Sequence, residues 1–468
     1  MPDSFLPKTL NVRQILLGLA LVLAAWLALA HPGGLSALQG QSAGAILITL
    51  VLWATGLIPP FLTALIFFAA ILVLRLDTPA NTFAGFGSAA VWLIISGFVI
   101  GAAIAASGLS KRLAALLAPM IAHSYLALVA GLTITAMLLG FVMPSSIGRA
   151  IVLVPIGMAL AEQAGFEKGS NGRIGIAVAL AIACNVPSFA ILPSNIPNMI
   201  LAGAAEQIHH QIFSYTDYLA LHYPLLGLVK SAITVALVLW LYPDRVSQRA
   251  ASRAPEPVTA EQQSLQVRVG VILLATLALW MTDSLHGINP AWVGIVAAVV
   301  LLLPGVGVVA PKNFNASIDF GTTLFVAAAL SLGALINSTG LGTMLGATLE
   351  RVLPLAEGRD FLNFMSLTAM SFLTALVTTI PGVPTVLTPM AQTLADHSGM
   401  SLPAVLMTQV IGFSTLVFPY QVGPIVVAMN LSGERLGAVV RITLPLAAIT
   451  LLVLAPLDYL WWGLLGWL

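Results

Sequence analysis

Long apolar runs, each bounded by short polar, glycine or proline punctuation, cover most of the chain. They predict helical spans over about 14–30, 43–57, 61–74 and 89–106, with Pro59 and Pro60 turning the second run into the third. The fourth run stops at Ser107-Gly108-Leu109, followed by Lys111 and Arg112. The apolar run 124–164 is broken near its middle by MPSSIGR at 143–149. Each arm of about 17 residues is marginal for crossing a hydrocarbon core. The run reads as a re-entrant helical hairpin with its tip at mid-membrane, two ordinary spans being the alternative. Apolar arms over 174–184 and 199–207 then flank a polar, proline-rich break, and a span at 219–241 closes the first half. After a polar stretch at 243–266, the second half predicts spans at 267–281, 290–303 and 322–337. A second hairpin follows over 361–395, broken at TTIPGVP (378–384), then arms over 402–417 and 425–431, and a last span over 438–460. Tyr459, Trp461 and Trp462 end it as an interfacial aromatic anchor.

The two breaks organise the pattern. CNVPSFAILPSNIPNMI (184–200) and FPYQVGPIVVAM (418–429) place prolines and amides between apolar arms. Proline removes a backbone donor, so a continuous helix is not expected, and unwound backbone at membrane depth must be buried or line a wet cavity. Read together, residues 193–198 face residues 419–424. The fourth span also has an echo: Val91-Trp92-Leu93, Gly101, Ile104 and Ser107-Gly108-Leu109 run beside Thr323-Leu324-Phe325, Gly333, Ile336 and Thr339-Gly340-Leu341 without a gap. Broken helices at matched places in two halves point to a transporter's binding site.

Composition narrows the class. Of 468 residues, 59% are hydrophobic and 7% charged, and the mean hydropathy is +1.02. This is an all-α polytopic membrane protein with about 11 transmembrane helices in two repeats. No basic tract suggests nucleic acid, and no hydrolase, P-loop or zinc-protease pattern suggests an enzyme. The lone cysteine, Cys184, excludes a disulfide framework or multi-cysteine metal site and reads as a packing residue. Residues 13–30 could pass for a signal sequence, but the apolar runs that follow favour a retained first helix.

Charge then sets topology. With Lys8 and Arg13 in the cytoplasm and hairpins returning to their own side, Lys111, Arg112, Lys168, Arg173, Arg245, Arg249, Arg253, Arg268, Lys312, Arg435 and Arg441 fall inside. Only Arg75, Arg351 and Arg359 fall outside, the last two beside Glu350 and Asp360. The fourth span and its echo then run in opposite directions, so the repeats are inverted. The chain is expected in the inner (plasma) membrane, with the N-terminus cytoplasmic and the C-terminus outside. Scaffold helices occupy 1–80 and 267–311, the repeats 81–242 and 312–468, and a cytoplasmic linker 243–266.

Candidate chemistry gathers at the breaks. Arg149 places a fixed guanidinium at the first hairpin tip, and its planar fork suits carboxylate, sulfate or phosphate. The competing reading is a cap on the hairpin's carbonyls, or a side chain reaching a wet vestibule. Ser145, Ser146, Ser194, Asn195 and Asn198 in one half, and Thr378, Thr379, Tyr420 and Gln421 in the other, are further candidate anion donors beside helix N-termini. Singly, a Ser or Thr there is more often a cap; Tyr420-Gln421 reads as a buried hydroxyl and amide that need partners. Lys230 reads as snorkelling toward the cytoplasmic end, Trp92 and Phe98 as packing, and His209 and His210 as surface. No Asp or Glu falls near the middle of a predicted span; Glu162, Asp283, Asp319 and Asp458 sit toward ends.

Trp53, Thr55, Ile58-Pro59 and Thr63-Ala64 resemble the helix-turn-helix signature of the divalent anion/sodium symporter family, within the ion transporter superfamily. Gly85-Phe86, Val91-Trp92-Leu93, Phe98 and Ser107-Gly108-Leu109 resemble its fourth helix, and Pro197-Asn198 the end of its Gly-Thr-Pro-Pro-Asn segment. The resemblance covers about 52–429 and implies a homodimer. It also implies a scaffold and a mobile hairpin domain that moves as an elevator. It further implies sodium as a coupling ion at the hairpin tips, here near Ser145, Asn185, Thr379 and Gly382. The family's Ser-Asn-Thr at each tip aligns with Ser145-Ser146-Ile147 and Thr379-Ile380-Pro381, and its Gly-Thr with Ser194-Asn195. These departures leave sodium coupling open. The expected function is secondary active transport of a small anion (dicarboxylate, tricarboxylate, sulfate or sulfonate). A cation or proton antiporter on the same scaffold, or a non-transporting receptor or scaffold, is the alternative.

Overall fold

Short polar residues ahead of the apolar runs start the helices. Ser36, Ser88, Ser124, Ser170 and Ser401 each accept a hydrogen bond from a first-turn backbone N–H, removing one of the donors that a helix start leaves open. The computed structural model describes residues 11–110, 112, 123–246, 259–350 and 352–468, and no strand occurs among the described residues. Lys8, Lys111, Arg249, Arg253 and Arg351, part of the charge reading, lie outside them.

Eleven helices among the described residues are long and apolar enough to cross a membrane. They include both arms of the first hairpin, Tyr125–Val142 and Ser146–Gln163, and the outer arm of the second, Asp360–Thr378. Pro60–Leu74 and Pro290–Leu302, expected as spans, are shorter. For the first hairpin, packing decides what length cannot. Both arms flank Asn171–Ala183, the first arm of the broken helix. Gly175 approaches Tyr125 so closely that a Cβ there would run into the tyrosine hydroxyl. The tip reaches only as far as the break, where Arg149 Nε donates to Cys184 O at 3.0 Å. A chain that enters and leaves beside the same end of a spanning helix, and turns at its break, is re-entrant.

The halves match element by element, and the repeat is longer than the motif comparison indicated. Ala37–Thr55 and Pro60–Leu74 correspond to Ala260–Met281 and Pro290–Leu302. Trp53 Nε1 donates to Pro60 O at 3.2 Å, and Trp280 Nε1 to Pro290 O at 2.9 Å, tying the same corner in each copy. Packing is exchanged between copies. Pro60–Leu74 lies against the second half's Phe320–Ser338, and Pro290–Leu302 against the first half's Ala89–Ser107. Likewise Ile196–His209 packs on Gly382–Leu387, and Gly423–Ser432 on Ser146–Gln163. Each half completes the other. The closing spans, Tyr215–Leu241 and Leu436–Leu464, pack on hairpins and broken helices rather than on the leading helices alone.

Loops of the two halves meet at the ends of the bundle. Arg173 reaches Glu162 at 2.8 Å and Glu434 at 3.3 Å, while Gly172 N donates to Asp244 at 2.7 Å. Elsewhere, Asp283 accepts from Tyr215 N and from Thr216 Oγ1.

Candidate functional site

The first break, from Cys184 to Asn195, is buried throughout. Its backbone leaves the helix in two 3-10 turns, Val186–Ala190 and Leu192–Ser194, because Pro187 and Pro193 cannot continue the ladder. Arg149 stitches it to the hairpin tip. At 0% exposure, it donates to Cys184 O, to Met143 O, to Ser194 Oγ at 3.0 Å and to Ser146 Oγ at 2.9 Å. Those contacts use most of the guanidinium's donors. Ser194 Oγ donates in turn to Gly140 O at 2.7 Å. Ser145 caps the return arm by accepting from Gly148 N at 3.0 Å. Asn195 donates to Ser188 Oγ, and Asn198 to the carbonyls of Ser188 and Ile191. Asn185, fully buried, has no partner for either side-chain atom, and Asn198 Oδ1 has none.

Beside this network lies a cavity of about 330 Å³. Its polar wall is Ser145, Ser146, Ser194 and Asn195 from the first half, with Asp319 and Thr322 from the second. Ile147, Ile151, Met199 and Phe98 line its apolar side, so Phe98 faces the cavity and is not only packing; Trp92 is 44% exposed. Arg149 stands behind Ser146 and Ser194, outside the wall. Four helices, Ser146–Gln163, Ile196–His209, Phe320–Ser338 and Gly423–Ser432, begin at this cavity. Their N-terminal N–H groups and dipoles favour an anion. The residue that sequence reasoning missed is Asp319, whose carboxylate accepts from Thr322 N at 3.0 Å and Thr322 Oγ1 at 2.6 Å. An acidic residue just ahead of an apolar run is a cap signal, which was there to read.

The second break is built differently. Gln421 is buried, accepts from Val417 N and Phe418 N at 2.9 and 2.7 Å, and donates to Ala375 O at 3.1 Å. Tyr420 is not the buried hydroxyl expected: it is 56% exposed, although it donates to Leu376 O. Thr378 bonds within its own helix to Thr374 O at 2.9 Å. Thr379 turns the tip at φ +73°, a conformation that a β-branched residue strongly resists, and Gly382 starts the return arm. These five residues stand outside the wall of the cavity. The register of the two breaks also needs correcting by one. The 3-10 turns Leu192–Ser194 and Pro419–Gln421 correspond, as do the helix starts Ile196-Pro197 and Gly423-Pro424, each with proline at the second position.

Three further expectations change. Lys230 does not snorkel: it is 1% exposed and donates to Ser414 O at 2.8 Å. Asp458 is 0% exposed despite lying near a helix end. His209 bridges to the second hairpin, its Nε2 lying 2.7 Å from Thr388 O.

The sodium:sulfate symporter transmembrane region, as a family, matches residues 9–468. The chain belongs to this family. Its members include the divalent anion/sodium symporters, and the protein is a multi-pass membrane transporter of anions. A membrane protein of Cupriavidus necator is 26% identical over 400 residues, covering 82% of this chain and 76% of its own. The inner membrane protein YbhI of Escherichia coli is 24% identical, covering 82% of each chain. The L-tartrate/succinate antiporter of Shigella flexneri is 25% identical over 363 residues, covering 73% of this chain and 72% of its own. Among solved structures, the YdaH transporter of Alcanivorax borkumensis shares the fold, with a TM-score of 0.56, 17% identity and coverage of 97% and 98%.

Proposed function

We propose that this symporter-family protein exchanges small dicarboxylates, of the class named for its tartrate/succinate relatives, across the inner membrane. The observation that carries the reading is the cavity itself: four helix starts and four neutral polar side chains of the first half face it, with a fully buried guanidinium immediately behind. Ser145, Ser146 and Asn195 donate to the cargo, Ser194, its hydroxyl hydrogen held by Gly140 O, braces the wall between them, and Asn198 holds the break that carries Asn195. Arg149 sets the positions of Ser146 and Ser194 and adds positive potential through a thin polar layer. Thr378, Thr379, Gly382, Tyr420 and Gln421 hold the opposite break closed.

Sodium does not fit the first tip. The carbonyls of Met143 and Cys184, which a sodium ion there would need, already accept from Arg149, and two cations in one small volume repel. Exchange is therefore independent of sodium at this half. The mobile unit comprises the hairpins, broken helices and closing spans, which pack on one another. It moves as an elevator against the leading helices, which form the scaffold and homodimer contact, with the N-terminus cytoplasmic and the C-terminus outside.

Reconstituted proteoliposomes loaded with succinate, tartrate or sulfate test this. Labelled succinate should enter against internal tartrate equally well in sodium and in choline. Strict dependence on sodium would overturn the ion assignment, and failure to move any dicarboxylate would overturn the substrate class.

A further inference from the structure

A second buried charge centre lies apart from the anion cavity. Lys230 and Asp458 occupy the two closing spans, at 1% and 0% exposure. Each follows a π-helical segment: Tyr223–Val229 ends next to Lys230, and Thr450–Leu454 lies one turn before Asp458. Such insertions re-aim side chains and recur at functional sites. Lys230 Nζ donates to Ser414 O at 2.8 Å and lies 3.4 Å from Ser414 Oγ. Asp458 interacts electrostatically with Lys230. Yet neither carboxylate oxygen accepts a hydrogen bond, and the ion pairs among the described residues belong to Arg173.

An ionised carboxylate buried without a donor is strongly disfavoured, whereas a protonated one is not. We propose that Lys230 and Asp458 form a proton-binding site that couples a proton to anion transport through the carbonyl of Ser414. With Asp458 protonated, the Lys230 ammonium rests on Ser414 O, as in this structure. When Asp458 releases the proton, its carboxylate draws the ammonium across and frees Ser414, the residue at which the second broken helix ends its first arm. One proton bound or released therefore tightens or loosens the second break. This rests on the anion-transport reading and supplies the coupling that sodium does not provide at the first tip.

Among the other titratable groups on elements packed against the pair, Tyr125, Tyr215 and His222 keep a buried polar atom without a partner; the rest are engaged elsewhere or exposed. Tyr218 donates to Phe189 O at 2.9 Å, and Arg441 lies over the Tyr242 ring. Tyr125 packs on Phe166, Tyr223 on Phe141, Tyr215 on Trp280, and Tyr459 on Phe361 and Phe364. Arg173 pairs with Glu162 and Glu434, while Asp217 and Asp360 are not buried and lie in first turns of their helices. His222 is fully buried, with Nδ1 unpartnered and Nε2 at 3.3 Å from Met407 Sδ. Its ring lies 5.7 Å from that of Trp462, one turn beyond Asp458.

The test uses the full-length protein in proteoliposomes holding a pH-sensitive dye, with succinate counterflow measured in parallel. With no internal anion to exchange, the wild type should take up succinate together with protons. Asp458→Asn should keep counterflow and lose both proton movement and stimulation by a pH gradient. If Asp458→Asn does not fold, the Lys230→Met/Asp458→Leu double variant removes both charges without an orphan, and the same loss is expected. Proton movement persisting in either variant, or wild-type anion uptake without protons, overturns the proposal alone. Absence of counterflow in the wild type overturns the transport reading and this proposal with it.

Discussion

The two breaks present the same backbone problem and answer it with different side chains. At the first, the carbonyl of Cys184, just past the Asn171–Ala183 arm, accepts from Arg149 Nε at 3.0 Å. At the second, the carbonyl of Ser414, just past the Leu402–Phe413 arm, accepts from Lys230 Nζ at 2.8 Å. A half-helix that ends at mid-membrane gathers negative partial charge where water cannot offset it, so inverted symmetry repeats the demand for a cation. The first half supplies a guanidinium from its own hairpin. The second takes an ammonium from the other half's closing span. The guanidinium is held by hydrogen bonds to two carbonyls and two serine hydroxyls, whereas the ammonium is a compact charge on a flexible stem. The first break is therefore a fixed wall, and the second is the one that can switch. The hairpin side of each break repeats the lesson: Ser194 donates to Gly140 O, and Gln421 to Ala375 O.

The comparison is broken most severely at Arg149. Arg149→Ala strips a charged donor from Cys184 O, Met143 O and two serine hydroxyls. It should cost roughly 3 kcal/mol or more of stability and abolish anion binding, read by thermal unfolding and by ligand-induced stabilisation. Arg149→Lys should recover only part of both, since an ammonium lacks the planar fork. Normal binding in Arg149→Ala would reduce the residue to a cap on the hairpin.

The counterpart in the second half should be costly for stability but not for affinity. Gln421→Ala leaves two buried N–H groups without their acceptor, a loss of about 2 kcal/mol. Succinate affinity should stay near wild type while transport slows; a large loss of affinity would return the second break to the binding site. Cysteine labelling sharpens the same division. A thiol at Ser146 should be protected by bound succinate, and one at Thr379 should not. Equal protection at both would place cargo between the tips.

Thr379→Gly should have the smallest effect and the opposite sign. Relieving a β-branched residue at φ +73° should stabilise the protein by about 1 kcal/mol. Unchanged or lower thermal stability would mean that the tip's side chain does more than strain the turn.

Much of this was legible in the order of residues, because hydrocarbon is an unforgiving solvent. A run long enough to span, a proline pair that cannot stay helical and a polar cluster between apolar arms each admit few solutions. Hence the halves, the hairpins and the breaks follow from the pattern, and so does the family. Site detail followed less well where it depended on partners far along the chain. Arg149 reads from the sequence as a charge at the first tip, but only folding shows that its donors face Cys184, Met143 and Ser194 rather than the open cavity. Matching the two breaks by their prolines in order pairs them one residue away from the register that the helix starts at Ile196 and Gly423 set. Lys230 and Asp458 lie far apart in sequence on spans of different halves, so no local pattern could join them. Their burial and their closeness are products of packing alone. Sequence determined which groups must be hidden from lipid; the tertiary structure decided which group each one hides behind, because a partner is a matter of distance in space.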